Sequence, residues 1–305
     1  MSARPRIPSL HVMLLIALAL VWGSSFILMK RAMKTPDEQP LLSPAQVASM
    51  RMFFAGLTLI PFVPSAMRVV RKADWPWLLV VGLCGSGVPA FLFTRAQMHI
   101  DSSVAGMLNA LTPLFTVIVG VLAFRSAFSA RQVTGVVIGL AGAVTLLLLT
   151  GVEKHSHIGW ALLVVLATAC YGVSVNTIQH RLSHLNGLQT ASLSMLLVAI
   201  PCGVIALMTS PVEVIRENPY GLRALGAVVI LGAVGSALAN ALFFRLTHRT
   251  SALFAASVTY LIPIVAVGWG IMDDEPLSIW HVAAGGIILV GVWLMRSRKA
   301  KSTES

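Results

Sequence analysis

The residues of this chain that could do chemistry are few, and they stand in unusual places. Arg51 lies in a stretch from about Leu41 to Ala66 that carries no other charge. About two turns into a helix, it would sit roughly 10 Å inside an apolar layer. An arginine there is costly and faces a cavity or a partner. It reads either as a guanidinium that meets an anionic group, such as a substrate carboxylate, or as an anchor that reaches for the surface or for helix-end carbonyls. Trp22 and Tyr171 each precede a glycine, where a neighbouring helix or a cargo can come close. Pro113 and Pro263 each remove one helix hydrogen bond, and the carbonyls freed are those of Asn109 and Thr259. Each proline is either a kink that lines a cavity and bends during gating, or a static kink capped by its polar neighbour. Ser25, Asn176, Asn240 and Tyr260 are further polar groups in apolar surroundings, where side chains touch cargo or glue helices together.

Other chemistries find little support. His155-x-His157 offers two metal ligands where a site needs more. Asp273-Asp274-Glu275 reads as a solvated turn rather than a cation site. Cys84, Cys170 and Cys202 are odd in number, match no metal spacing and read as packing thiols. No P-loop is present, so ATP-driven transport is not encoded here. The eight histidines and 11 acids are scattered at the ends of apolar runs, with no nucleophile–base pair. No catalysis and no cofactor are expected.

The elements that must position these residues follow from composition. Of 305 residues, 57% are hydrophobic and 11% charged, with a mean hydropathy of +0.85. A soluble domain is about 25% charged, so soluble enzymes and soluble DNA binders are excluded. A membrane-spanning helix needs roughly 20 apolar residues. Nine windows of at least that length lack Asp, Glu, Lys and Arg: 7–29, 75–94, 102–124, 132–152, 155–180, 182–212, 224–244, 250–272 and 276–295. The Arg51 stretch makes ten. Backbone groups in lipid must be satisfied within each segment, so the expected fold is an all-α integral membrane bundle of ten transmembrane helices. The first apolar run outlasts a signal-peptide core and reads as the first span.

Ten spans put both termini on one side. If that side is the cytoplasm, the inner segments hold 14 of the 22 Lys and Arg residues and two of the 11 acids, a net +12 against −1 elsewhere. This positive-inside bias explains a pI near 10.5 without nucleic acid. Lys30, Arg95 and Arg245 fall in the last turns of their helices, where cations complement the helix dipole. The spacing of Gly135, Gly139 and Gly142 permits close helix packing.

The chain also resembles itself. Val21-Trp22-Gly23-Ser24-Ser25 matches Cys170-Tyr171-Gly172-Val173-Ser174 at an offset of 149. Gln46-Val47-Ala48-Ser49-Met50 matches Gln189-Thr190-Ala191-Ser192-Leu193 at 143. Phe93-Thr94-Arg95 matches Phe243-Phe244-Arg245 at 150, as Pro113 matches Pro263, and Phe128-Ser129 matches Leu277-Ser278. Five helices are followed by five similar ones, and five is odd, so the second copy enters the membrane from the opposite side. Two inverted halves give a bundle with two nearly equivalent conformations, the architecture of secondary transporters, with the site near the midplane. The halves are taken as 10–150 and 155–296, with a cytoplasmic tail at 297–305.

Trp22-Gly23-Ser24-Ser25-Phe26 with Lys30, Arg51-Met52-Phe53 with Ala55, and Pro113 followed by Gln132, Gly135 and Gly142 resemble motifs of the drug/metabolite transporter superfamily, EamA type. The resemblance covers about residues 10–296 as two copies. It departs after the fourth helix, where the family often has an acid and this chain has Arg125; the second copy keeps Asp273, Asp274 and Glu275. The resemblance implies a metabolite carrier, commonly an exporter, of the bacterial inner membrane, with a central cavity lined by helices 1, 3, 4, 6, 8 and 9. Cargo does not carry over from it.

The expected function is a secondary transporter of small polar metabolites such as amino acids, with Trp22, Ser25, Arg51, Asn109, Tyr171, Asn176, Asn240 and Tyr260 on the substrate and Pro113 and Pro263 in gating. The alternatives are a lipid-modifying membrane enzyme and a non-transporting scaffold. Expected partners are a small-molecule substrate and the bilayer, with no nucleic acid; a monomer is compatible with this. No Asp or Glu lies within the nine windows, so facilitated or exchange-type movement is expected. Asp101 and His99 come nearest, at a helix boundary.

Overall fold

A computed structural model describes residues 9–125, 130–152, 157–250 and 252–295. Phe128-Ser129, His155 and the 297–305 tail lie outside them. Among the described residues ten main helical segments follow in order. α1 is Ser9–Met33, and α2 runs over Pro44–Met67. α3 is Lys72–Ala96 and α4 is Ser102–Phe124. α5 is Ala130–Val152, α6 His157–Arg181 and α7 Gly187–Met208. α8 is Gly221–Arg249. α9 comprises Ala252–Ala256, a 3₁₀ turn Ser257–Tyr260 and Ile262–Met272, and α10 is Ile279–Met295. Eight contain stretches long and apolar enough to cross a bilayer; α5 and α10 have shorter apolar runs, Val137–Leu146 and Ile279–Gly291. The 182–212 window divides: α7 stops at Met208, and a separate short helix, Pro211–Glu217, follows.

Local sequence explains the repeated features. α2 begins with a capping box, in which the Ser43 Oγ accepts from Gln46 N and the Gln46 Oε1 accepts from Ser43 N. α7 begins with the same device built from Asn186 and Gln189. Each box satisfies two helix donors that would otherwise lack partners. α4 breaks at Ala110-Leu111 and α9 at its 3₁₀ turn, and the second half of each starts with proline at its first positions, Pro113 and Pro263. α3 and α8 each carry a π-helical segment, Leu83–Gly87 and Leu231–Leu238.

Packing follows the inverted repeat. α2 lies along α7 and α5 along α10; α6 packs on the second half of α4, and α1 on the second half of α9. Two pairs of glycines permit close approaches, the first of α3 to α7 and of α8 to α2, the second within the packing just described. A Cβ on Gly82 would stand 2.5 Å from the Ser194 carbonyl oxygen, and one on Gly232 would stand 2.8 Å from that of Arg51. Ser194 is the repeat mate of Arg51. Likewise Gly23 abuts Val265 of α9, and Gly172 abuts the Phe115–Thr116 backbone of α4. Each contact recurs between the equivalent residues of the other half. The outside of the bundle is apolar: Leu122 is 80% and Leu207 81% exposed, as lipid-facing residues are.

Candidate functional site

The repeats meet around a cavity of about 90 Å³. Ligand pockets occupy roughly 300–1,000 Å³, so this cavity is small beside them. α1, α2, α3, α4, α6, α8 and α9 all contribute to the lining. The expected helices are there, joined by α2.

Its walls are aromatic. Trp22 sits edge-on to Phe243 at 5.1 Å between centroids, Phe26 edge-on to Phe93 at 5.6 Å, and Phe93 stacks on Tyr171 at 6.2 Å. Such geometries are the favoured ones for aromatic pairs. Trp22 is held by its indole Nε1–H, which donates to the Gly235 carbonyl at 2.9 Å. Gly235 belongs to the α8 π segment, a conformation that interrupts the regular helical ladder and recurs at functional sites.

Arg51 brings the charge. Its Nε donates to the Ser236 Oγ at 2.8 Å, and Nη1 lies 3.5 Å from the Met29 sulfur. Among the described residues no carboxylate forms an ion pair with it. Ser236, in turn, is the repeat mate of Ser86, in the α3 π segment. Ser86 accepts from Asn240 Nδ2 at 3.0 Å. So each π segment presents a serine to the cavity, one oriented by Arg51 and one by Asn240. Asn109 Oδ1 and Ser174 Oγ are buried without a hydrogen-bond partner, and both residues line the cavity. Buried polar atoms in that state are costly unless something else completes them.

Of the residues singled out from sequence, Trp22, Ser25, Arg51, Asn109, Tyr171 and Asn240 come together here. Ser25 is partly self-satisfied, donating to the Val21 carbonyl at 2.9 Å. Asn176 and Tyr260 are not among the lining residues. Asn176 Nδ2 donates to the carbonyls of Thr116 and Gly172, each at 2.8 Å, and ties α6 to α4. Tyr260 packs half-buried on the core, and its neighbour Thr259 takes the place at the cavity. Pro113 and Pro263 lie behind the lining. The Asn109 carbonyl that Pro113 frees accepts from Thr112 Oγ1 at 2.8 Å, the polar capping of a kink. The sequence motifs do not single out the serines of the π segments, although Gly85-Ser86 and Gly235-Ser236 recur at the offset of 150.

One end of the bundle carries a cluster of ionic contacts around a cavity of about 480 Å³. Lys30 at the end of α1 pairs with Asp273 at 2.6 Å, and Arg31 pairs with the same carboxylate. Glu275 is buried and reaches the start of α4. Within the acidic run only Asp274 is exposed, as a solvated turn would have it; Asp273 and Glu275 are not, because α1 and α4 supply cations and backbone donors to them. Lys30 serves this contact as well as the end of its own helix. Arg95 lies over the Trp160 ring at 5.8 Å. No group of three or more metal-ligating side chains occurs among the described residues.

The model of the EamA-like transporter family matches residues 9–148 and again 158–297. This chain belongs to the EamA-like transporter family. It is 24% identical to a protein named a probable terminal-alkyne amino-acid exporter from Streptantibioticus cattleyicolor, covering 85% of this chain and 88% of the relative. It is 26% identical to an S-adenosylmethionine/S-adenosylhomocysteine transporter of Chlamydia trachomatis, over 84% and 80%. A solved structure titled only as a crystal structure of a protein shares the fold, with a TM-score of 0.58 at 17% identity, covering 94% of this chain and 96% of that one. The EamA assignment makes the chain a multi-pass membrane transporter of the drug/metabolite type and points away from catalysis.

Proposed function

We propose that this EamA protein is a secondary carrier, an exporter in its net direction, for small polar metabolites of the amino-acid kind. It sits in the inner membrane with both termini cytoplasmic, an orientation supported by the positive-inside charge split. The mouth lined by Lys30, Asp273 and Glu275 then faces outward. Residues 10–150 and 155–296 are the two halves that rock about the cavity, and the broken α4 and α9, with Pro113 and Pro263, are where they bend.

The observation that carries this reading is Arg51: a guanidinium inside the membrane, in an aromatic-walled cavity, without an acidic partner among the described residues. A cargo carboxylate completes it. The aromatic faces of Trp22 and Tyr171 take the cargo's apolar body, while Asn109 and Asn240 supply polar contacts. Ser25 closes the α1 side. Relatives named for an amino-acid exporter and for an S-adenosylmethionine carrier support cargo with an amino-acid moiety. Asn176 and Tyr260 act on the frame rather than on the cargo.

The test compares metabolite accumulation in cells with and without the gene, then reconstitutes the purified protein in liposomes with whatever accumulates on loss. Exchange of that cargo only in protein-containing liposomes is expected. Equal metabolite pools, with no exchange of amino acids in liposomes, would overturn the reading.

A further inference from the structure

The cavity of about 480 Å³ at the mouth lined by Lys30, Asp273 and Glu275 has the size of a ligand pocket, roughly 300–1,000 Å³. It stands next to the central cavity along the same helices. α1 supplies Phe26 to the central cavity and Lys30 to this one; α3 supplies Phe93, with Gln97 just past its end; α4 supplies Asn109 and Ser102. α9 lines both as well. At 1.5 Å per residue, four to seven residues of helix separate the two by roughly 6–10 Å. The charges of this cavity do not balance. Three cations and five carboxylates line it. Each cation is engaged, Lys30 and Arg31 with Asp273 and Lys34 with Glu38. Glu275 accepts from the backbone N–H groups of Ser102 at 3.1 Å and Ser103 at 3.0 Å. Asp101 and Asp274 form no ion pair among the described residues. Lys30, Lys34 and His281 act on Asp101 by charge, and Glu275 acts with the opposite sign. Gln97 supplies an independent sign of a ligand. It is 4% exposed and lines the cavity. Its Nε2 donates to the Phe26 carbonyl at 3.1 Å, which fixes the amide so that Oε1 is the free acceptor. That Oε1 has no hydrogen-bond partner, a costly state until a donor reaches it.

We propose that this cavity is a second binding site, for a small organic cation with a primary ammonium group: the ammonium donates to Gln97 Oε1 and to Asp101, and Asp274 adds its charge. The lining selects this class. Two unpaired carboxylates attract a cation. An ammonium brings three donors to acceptors that lack one, and its bond to a carboxylate is charge-assisted. A quaternary ammonium brings no donor and is held by aromatic faces, and no lining residue is aromatic. Calcium takes six to eight oxygen ligands, whereas no group of three metal-ligating side chains occurs among the described residues. The repeat mates of Gln97 and Asp101 are Thr247 and Ser251, so the other half does not repeat the site. For its role, though not for binding, the proposal rests on the carrier reading. An amino-acid cargo that leaves Arg51 for the outside meets these acceptors with its ammonium group, one to two helical turns further on.

The experiment reads binding alone. Cys84, Cys170 and Cys202 are replaced by alanine, and an environment-sensitive fluorophore is attached at Pro36→Cys, an exposed position on the lining. The full chain in detergent is titrated at about pH 7 with butylamine, an alkylamine that is cationic there as a lysine side chain is. A saturable change in fluorescence is expected. Asp101→Asn should weaken binding by about tenfold or more. Asp274→Asn should weaken it by less; it sits at φ 55°, a backbone shape that asparagine also adopts. Butyltrimethylammonium, which cannot donate, should bind about tenfold more weakly than butylamine or worse. The proposal is overturned by the absence of a saturable change, or by an equal response to butyltrimethylammonium, to sodium chloride or to magnesium chloride at matched ionic strength. Binding that survives Asp101→Asn unaltered, or Asp274→Asn should the first variant not fold, overturns it too. Arg51→Gln should leave the titration unchanged, so a failure of cargo exchange, which sinks the carrier reading, is a separate outcome.

Discussion

Arg51 was legible in the sequence because a charge in an apolar stretch is conspicuous, and burying one without purpose is expensive. Its partner was not. Ser236 is one serine among many in apolar helices, and only its equivalence to Ser86 across the repeat marks it. Glu275 was misjudged for a related reason: an acidic triplet in a short loop looks solvated unless Gly270, Lys30 and the start of α4 are known to converge on it. At this scale, Arg51→Lys keeps the charge but loses the planar fork, and it should weaken cargo binding less than Arg51→Gln does. A charge-assisted hydrogen bond contributes about 1.5–3 kcal/mol, so Arg51→Gln should raise the KM for a carboxylate cargo by about tenfold or more. Uptake kinetics in liposomes check both. Tyr260→Phe should leave KM unchanged, since Tyr260 does not line the cavity.

The spans themselves could be read from length and hydropathy, but their interruptions could not. Windows 75–94 and 224–244 look continuous, yet each holds a π segment where Gly-Ser meets the cavity. The capping boxes of α2 and α7 explain why Gln46 and Gln189 recur at equivalent positions, a match seen first only as letters. Helix breaks at Pro113 and Pro263 were foreseen, and the capping of the Asn109 carbonyl by Thr112 favours the kink as a built element. Thr112→Val should lose about 1 kcal/mol of stability. Gly172→Ala drives a Cβ to 2.7–2.9 Å from the Phe115–Thr116 backbone, and overpacking of this kind costs about 1–3 kcal/mol. Thermal unfolding in detergent measures both, and Gly172→Ala should be the less stable of the two.

At the scale of the whole molecule, the self-match at offsets near 150 with an odd number of helices implied the inverted architecture, and the family match on both halves carries it. The proposed orientation rests on the charge split. A membrane-impermeant thiol reagent should reach a cysteine placed at Asp274 from outside the cell and miss one placed at Val70; the reverse pattern would invert the orientation, and with it the sense of the outer mouth. Such patterns do not carry substrate identity: relatives at 24% and 26% identity are named for different cargoes. The most direct test of a carrier with its site at Arg51 is counterflow: liposomes loaded with an unlabelled amino-acid mixture, given trace labelled amino acids outside. Transient accumulation of label is expected with the wild-type protein, and its loss with Arg51→Gln at the same trace concentration. Accumulation of the same size with Arg51→Gln, or none with the wild-type chain for any amino acid, would contradict it.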